Sequence, residues 1–257
     1  MAISAALVKV LRDRTVAGLL ECKNALVESN GDIEAAIEAM RKSGQAKAAK
    51  KAGRTAADGV VVIRISDDGK RGVMVEVNSE TDFVAKDANF VQFAEAVADD
   101  ALESDAEDAE ALAAMPVSGA DGMTVSAARE ALIAKIGENI QVRRLIRFAG
   151  GAGALHSYRH GVRIGVVVEL EGGDAALGKD VAMHVAASNP MCVDADQVPA
   201  EKLEKEKDNF RAQALESGKP ENIVEKIIGC RVRKYLEEVT LLGQAFVKDP
   251  DVTVEKL

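Results

Sequence analysis

The sequence predicts an α+β protein, and three features of its hydrophobic pattern indicate this class. Apolar residues recur with helical spacing through the first fifty or so residues. The pattern changes at Val60 to the alternation that is typical of β-strands. After the glycine-rich stretch Gly150–Gly153, strand and helix signals return in a similar order. A chain of 257 residues with this repeated order is expected to contain two α+β units in its core.

Three short helices are predicted in the first fifty residues. Apolar residues mark the first helix at Leu7–Leu11 and the second at Leu19–Leu26. Asn30-Gly31 is a stop signal, Asp32 is placed to cap the third helix, and Ser43-Gly44 is expected to end it. So small a bundle has little apolar core of its own, and we expect it to need support from the rest of the chain.

A basic segment, Gln45–Asp58, follows the bundle and contains no large apolar residue. We expect it to be a linker or a frayed extension of the third helix, and a contact with an acidic partner surface is the alternative. Its cations, with one just upstream, are Lys42, Lys47, Lys50, Lys51 and Arg54.

The first α+β unit is predicted to begin with a hairpin. Val60–Ser66 and Gly72–Asn78 alternate as strands, and Asp67–Lys70 between them has the composition of a turn. The later elements of this unit are a helix at Phe90–Val97, an acidic stretch of helix and loop at Ala101–Gly122, a helix at Val125–Ile136 and a strand at Ile140–Phe148.

The second α+β unit is predicted to contain an inserted helical hairpin. Pro199 and Pro220 each stand where a helix begins, and Ser217–Lys219 is the expected break between the two helices. The flanking elements are a strand near Ser157, a strand at Val162–Glu171, a turn at Gly172-Gly173, a helix from Leu177 to Val185 and a returning strand at Val239–Leu242.

Composition limits the classes of function. A net charge of −9 argues against nucleic acid as the main ligand, because phosphate binding needs concentrated Lys and Arg. The three cysteines, Cys22, Cys192 and Cys230, are far apart and odd in number, so neither a zinc site nor a disulfide framework is expected. The sequence has no signal-peptide pattern and no apolar run long enough for a membrane span, so we expect a soluble cytoplasmic protein.

No constellation of catalytic residues is evident. The chain lacks the phosphate-binding loop, the nucleophile elbow and the HExxH zinc motif. His156 and His160 are four residues apart, but they lie in a segment with strand character, where that spacing separates them by roughly 13 Å. We therefore expect no cofactor and no metal, and a binding protein rather than an enzyme.

The segment Asn78–Asp87 carries the clearest candidate site. It follows a predicted strand, precedes a predicted helix, and places Phe83 among charged residues in a chain with only eight aromatics. Pattern alone favours a structural interpretation, in which Thr81 or Asp82 caps the next helix and Phe83 packs beneath it. The functional interpretation is that Phe83 is presented to a partner.

Several motifs in this chain, in the same order, resemble the bacterial elongation factor Ts family over nearly the whole length. They are Asp13–Thr15 with Glu21–Leu26, Lys47–Gly53, Thr81–Val84, Ile136–Ile140 with Arg143-Arg144, Ser157–Gly161 and His184–Ser188. Members of this family are guanine-nucleotide exchange factors for the translational GTPase elongation factor Tu. This resemblance favours the functional interpretation of Phe83.

The resemblance implies a specific architecture. The N-terminal helices would form a ubiquitin-associated-like bundle, which with the basic segment covers residues 1–54. A first core subdomain would cover residues 55–149, and a second would cover residues 150–198 and 239–257. The helical hairpin at residues 199–238 would be inserted in the second subdomain. The family pattern continues beyond Leu257 with a strand and a helix, so the chain is expected to be shortened at its C-terminus.

The resemblance also implies which residues bind the GTPase. The Thr81, Asp82, Phe83 and Val84 motif would enter near the magnesium and phosphate region of the nucleotide domain. The other residues implied as partner-binding are Lys23 and Lys51 near the bundle, Ile136 and Gly137 beside the motif, and His160, Phe246 and Val247 toward the third domain of the GTPase.

Two other classes of function remain as alternatives at this point. An RNA- or ribosome-binding protein would use Lys42–Arg54 as a basic arm, although an aromatic platform for bases is missing. An acyl- or phosphoryl-transfer enzyme would need a cluster of titratable residues. A homodimer formed through the helical hairpin is a further expectation that the sequence leaves open.

Overall fold

The computed structural model describes residues 3–15, 17–216 and 220–257. These residues form helices together with small antiparallel sheets, so the predicted α+β class is confirmed. The chain divides into two compact units. The first comprises Met1–Gly165 with Glu169–Gly172, and the second comprises Val166–Val168 with Gly173–Leu257.

Three helices open the first unit, as predicted. They are α1 (Ala5–Thr15), α2 (Leu19–Glu28) and α3 (Ile33–Lys51). Asp32 caps α3, because its carboxylate accepts a hydrogen bond from the main-chain N–H of Ala35 at 3.0 Å. The small core of this bundle is formed by Val8, Leu11, Cys22, Ala25, Leu26 and Ala36.

The prediction that Ser43-Gly44 ends the third helix is wrong, because α3 continues to Lys51. The basic segment is therefore an ordered helical extension for much of its length. Gly44 and Ala48 are buried, and Gly44 faces Ala134. A glycine inside a helix costs about 1 kcal/mol relative to alanine. Packing against a neighbouring helix outweighs that local penalty here.

A three-stranded antiparallel sheet lies at the centre of the first unit. Its strands are β1 (Asp58–Ile65), β2 (Arg71–Ser79) and β3 (Gln141–Ala149), in the order β1-β2-β3. Val60 pairs with Val77 and Val62 pairs with Val75, which confirms the predicted hairpin. Gly59 has a φ of +138°, and a Cβ there would lie 2.1 Å from the carbonyl oxygen of Val77, so only glycine fits this close approach.

Helices cover one face of this sheet. The elements are α4 (Asp82–Ala85), α5 (Ala88–Glu103), α6 (Ala109–Ala113) and α7 (Val125–Ile136). On this face of the sheet, valines at alternate positions of β1 and β2 are buried. These valines share a core with Phe90, Phe93 and Val97, which are spaced along one side of α5. The same core includes Ala48 of α3, which supplies the support that the small bundle was expected to need.

The glycine-rich stretch Gly150–Gly153 is held by two charged side chains. The Lys70 ammonium donates to the carbonyl oxygens of Gly151, Ala152 and Gly153 at 2.6–3.3 Å. The Glu169 carboxylate accepts from the main-chain N–H groups of Gly151 and Gly153 at 2.6 and 3.1 Å. The next strands, β4 (Ala154–His160) and β5 (Ile164–Leu170), pair as a two-stranded sheet.

The second unit consists mainly of helices. Its elements are α8 (Ala175–Ser188), a 3₁₀ turn (Ala195–Gln197), α9 (Ala200–Glu216), α10 (Glu221–Val239), β6 (Ala245–Phe246) and β7 (Asp249–Thr253). The α9 and α10 helices pack together through Ala214, Val224 and Ile228. They begin directly after Pro199 and Pro220, as predicted, and the expected break at Ser217–Lys219 lies outside the described residues.

The predicted strand at Val239–Leu242 is wrong as a regular strand. The α10 helix extends to Val239, and only Thr240 forms a bridge, parallel to Cys192. Main-chain N–H groups of Leu241 and Leu242 donate to the carbonyl oxygens of Cys192 and Val193. The segment satisfies its main-chain groups against a neighbouring turn, so its strand-like composition does not produce a strand.

Two further observations concern the part of the chain that the structure describes. None of its helices is both long enough and apolar enough to cross a membrane. Within the same residues, no three His, Cys, Asp or Glu side chains are grouped so that they could hold a metal ion. The subdomain boundaries predicted above, at residues 1–54, 55–149, 150–198 with 239–257, and 199–238, stay predictions.

Candidate functional site

The candidate site is the connection between β2 and α5, residues 79–87, which we call the Phe83 loop. It contains the single-turn helix α4. Thr81 caps this helix, and its hydroxyl oxygen accepts from the N–H of Val84 at 3.4 Å. Asp87 caps the following helix by accepting from the N–H groups of Asn89 and Phe90. Two successive caps therefore define the path of the loop.

Phe83 points into solvent from this loop, with 82% of its surface exposed. Val84 and Ala85, the next two residues, are buried in the main core of the first unit. Each helical residue is rotated by about 100° from the one before, so burying Val84 and Ala85 turns Phe83 outward. The structural interpretation is confirmed for the Thr81 cap and is wrong for Phe83, which does not pack beneath the next helix.

Asp82 adds a negative charge beside Phe83. Its carboxylate is exposed and forms an ion pair with Lys86 at 2.7 Å, four residues along the chain. The hydrogen bond from Lys86 holds the pKa of Asp82 below its ordinary value. Asp82 also lies in the first turn of α4, where the helix dipole favours an anion. The loop thus presents an apolar ring and a carboxylate side by side.

Glu138 holds the start of the loop in place. One of its carboxylate oxygens accepts from the main-chain N–H groups of Glu80 and Thr81 at 3.1 and 3.0 Å, and the other accepts from the Thr81 hydroxyl at 2.7 Å. Sequence reasoning assigned no role to Glu138. The available signal was its place in the Ile136–Ile140 motif.

The same turn also binds the end of α3. The Lys51 ammonium donates to the carbonyl oxygen of Gly137, and the Asn139 amide donates to the carbonyl oxygen of Arg54 at 2.7 Å. Gly137 has a φ of +91° and ends α7 in the left-handed conformation that glycine adopts readily. Of the predicted partner-binding residues, Lys51, Ile136 and Gly137 thus come together with the Phe83 loop, and Ile136 is half-buried against the core.

Lys23 lies on a separate exposed face, in α2. Three large apolar residues on the same helix are also exposed: Leu19 and Leu20, four and three residues before Lys23, and Val27, four residues after it. Residues at these spacings share one side of a helix, so Lys23 is surrounded by apolar surface. A contiguous exposed apolar patch of this kind is typical of an interaction surface.

The remaining predicted residues behave differently from one another. His160, at the end of β4, is exposed, and its Nδ1 lies 3.2 Å from the Tyr158 hydroxyl. Phe246 in the second unit is only 5% exposed and packs on His184 with ring centroids 5.9 Å apart. Its neighbour Val247 is 44% exposed. Of that pair, Val247 presents the accessible side chain.

A buried histidine fixes the position of Val247. His184 Nδ1 accepts from the main-chain N–H of Val247 at 3.1 Å, and its Nε2 lies 2.9 Å from the side-chain oxygen of Gln244. Because Nδ1 accepts, the proton belongs on Nε2, which donates to Gln244. The sequence motif His184–Ser188 drew attention to this residue, but its contact with Val247 could not be read from spacing.

Comparison with known proteins identifies close relatives. Residues 80–257 match the family model described as Elongation factor TS. The chain is 61% identical over 258 residues to the elongation factor Ts of Thioalkalivibrio sulfidiphilus, in an alignment covering 100% of this chain and 87% of the relative. It is 57% identical over 257 residues to that of Alkalilimnicola ehrlichii, covering 100% and 87%. It is also 57% identical over 248 residues to that of Arthrospira platensis, covering 96% and 99%.

Proposed function

Because this chain belongs to the elongation factor Ts family, we propose that it is a guanine-nucleotide exchange factor of translation elongation. It binds the GDP form of elongation factor Tu and promotes release of GDP, so that GTP can take its place. It acts by binding and does not catalyse a chemical reaction. Its place of action is the cytoplasm, where translation occurs.

The observation that carries this proposal is the exposure of Phe83 on a loop whose main chain is fixed. Exposed aromatic side chains that are held rigidly are frequent anchors of protein interfaces, because little conformational entropy is lost when they bind. Phe83 is 82% exposed, while its neighbours Val84 and Ala85 are buried. The ring is thus available to a pocket on a partner without any rearrangement of this chain.

The chemistry of nucleotide binding explains how such a contact can release GDP. A GTPase holds GDP through a magnesium ion and a cradle of main-chain amides. The Phe83 ring acts as a wedge beside that cradle, and Asp82 places negative charge near the metal side. The coupling between two ligands of one protein is reciprocal. A factor that binds best to the empty cradle therefore lowers the affinity of the GTPase for GDP, and GDP lowers the affinity of the GTPase for the factor by the same extent.

The rest of the predicted surface supplies affinity. We propose that Lys23 and its apolar surroundings bind the nucleotide domain together with Lys51, Ile136, Gly137 and the Phe83 loop, including Thr81 and Val84 as its support. His160 in the first unit, and Phe246 and Val247 in the second, are each proposed to contact the third domain of the GTPase. An interface in the class of about 2,000 Å² or larger is expected for two such contacts.

An RNA-binding function is less well supported than exchange, because three of the four cations of the basic segment have internal partners. Lys47 forms an ion pair with Glu21 at 2.6 Å, Arg54 with Glu80 at 3.6 Å, and Lys51 donates to Gly137. Cations that are engaged within the chain are less available to phosphates. Neither nucleic acid nor a membrane is part of the proposal, and a homodimer through α9 and α10 stays a prediction.

Nucleotide release measured by stopped flow tests the function. Purified elongation factor Tu is loaded with fluorescent GDP, and the loss of signal is followed after mixing with this protein and excess unlabelled GDP. We expect release to accelerate with protein concentration until it saturates. A pull-down of elongation factor Tu that is weakened by added GDP provides the equilibrium counterpart. Release at the spontaneous rate at all concentrations would refute the proposal.

A further inference from the structure

The short helix α4 cannot keep its own shape. Four residues are far below the length at which a helix is stable by itself, because the first turn must be ordered before hydrogen bonds compensate for it. The direction of Phe83 therefore depends on the burial of Val84 and Ala85, and also on whatever orders the residues just before α4. Those residues are Glu80 and Thr81, and both are held by Glu138.

The clamp formed by Glu138 is reciprocal. Glu138 accepts from the N–H of Glu80, while the Glu80 carboxylate accepts from the N–H of Asn139 at 2.6 Å. The two segments are thus joined through both main chains and both side chains. Charge-assisted hydrogen bonds of this kind are roughly twice as strong as neutral ones. Arg54 adds an ion pair to Glu80 at 3.6 Å, which connects the clamp to the residues that follow α3.

We propose that Glu138 is a positioning residue that orders the Phe83 loop before the partner arrives, and that Lys51 and Arg54 connect this order to α3. The inference rests on the proposed exchange function. Glu138 itself is half-buried and fully used by Glu80 and Thr81, so it acts through Thr81 rather than by touching the GTPase. Its effect is on the fraction of molecules in which Phe83 is ready to bind.

The physical consequence is a change in apparent affinity rather than in the rate at saturation. When only a fraction of molecules has the competent conformation, the concentration for half-saturation rises by the inverse of that fraction. Glu138→Gln turns one acceptor oxygen into a donor and removes at least one charge-assisted hydrogen bond. Loss of one such bond corresponds to about a tenfold change.

The first test measures tryptophan fluorescence in the free protein, so it needs no partner. The native chain contains no tryptophan, and an introduced one is therefore the only tryptophan observed. Phe83→Trp introduces a single fluorophore at the tip of the loop, and time-resolved anisotropy then measures its local motion in the full chain. We expect slow motion in this background and a large fast component when Glu138→Gln is added. Glu169→Gln is the matched control, since Glu169 also accepts from two main-chain N–H groups, but in the Gly150–Gly153 stretch.

The second test measures nucleotide release from elongation factor Tu over a range of factor concentrations. Glu138→Gln should raise the half-saturating concentration about tenfold and leave the maximal rate within about twofold. Thr81→Val should act in the same direction, because it removes the hydroxyl that donates to Glu138. Glu169→Gln should change neither parameter.

The outcomes separate this inference from the function on which it rests. If Phe83→Ala releases GDP as fast as the native chain, the proposed use of the loop is wrong. If Phe83→Ala is slow while Glu138→Gln and Thr81→Val retain native half-saturation and native anisotropy, the loop functions but Glu138 does not position it. Should Glu138→Gln fail to fold, Thr81→Val decides the question in the same assays.

Discussion

Replacing Phe83 with alanine separates the two requirements of the exchange loop, which are stability in the free protein and contact with the partner. Phe83 is 82% exposed, so the free protein gains almost nothing from its ring. Substitutions at such positions usually change the free energy of unfolding by less than about 0.5 kcal/mol. The melting temperature and the urea midpoint should therefore remain close to those of the native chain.

The effect on exchange can be estimated from the same exposure. Full burial of a phenylalanine side chain contributes about 1.5–3 kcal/mol, and the 82% that remains exposed leaves about 1.2–2.5 kcal/mol for a partner to gain. Because the wedge is used in the state where GDP is displaced, this free energy appears in the barrier to release. At about 1.4 kcal/mol per factor of ten, Phe83→Ala should lower the maximal release rate roughly 7- to 60-fold.

Stopped-flow release of fluorescent GDP at saturating factor measures this change, and Phe90→Ala is the contrasting variant. Phe90 is fully buried in the neighbouring helix α5, so its truncation should cost about 3–5 kcal/mol of stability. A native release rate for Phe83→Ala would refute the reasoning. A loss of stability comparable to that of Phe90→Ala would also refute it, because the ring would then belong to the core.

Four further predictions concern electrostatics and backbone. Lys86→Met should raise the pKa of Asp82 toward its ordinary value, as measured by carboxyl NMR titration, because the lowering hydrogen bond is lost. Asp87→Ala should cost about 1 kcal/mol in urea unfolding. Hydrogen bonding to Asn89 lowers the pKa of Asp87, so this contribution is present above the ordinary carboxyl pKa and lost as the pH falls through the lowered value. In thermal unfolding, Gly59→Ala should destabilise by more than about 1 kcal/mol, because a Cβ would strike Val77. Gly229→Ala, in the interior of α10 with open space around it, should stabilise by about 0.5–1 kcal/mol.

Local sequence pattern was sufficient for most elements of the fold. Some features depend only on neighbours within a few residues, so spacing predicts them. They are the Asp32 cap, the β1–β2 hairpin, and the beginning of α9 and α10 directly after a proline. The end of α3 does not. Gly44 is a stop signal when only the chain around it is considered, but its burial against another helix depends on residues some ninety positions away.

The candidate site shows the same division. Thr81 as a cap follows from local composition, whereas the outward direction of Phe83 follows from the burial of Val84 and Ala85 in a core that the sequence does not display. Glu138 is 57 residues from Thr81 in the chain, and no periodicity connects them. The motifs shared with a known family supplied the site, and the hydrogen bonds supplied the reason that it holds its shape.

The Gly150–Gly153 stretch is ordered by charge rather than by apolar burial, since Lys70 holds its carbonyl groups and Glu169 its amides. Salt affects these two kinds of order differently. At about 1 M ionic strength the Debye length falls to about 3 Å, which weakens exposed charge interactions and leaves apolar packing intact. The order of this stretch in the first unit should therefore decrease as ionic strength rises. We expect it to become the earliest site of proteolytic cleavage under those conditions.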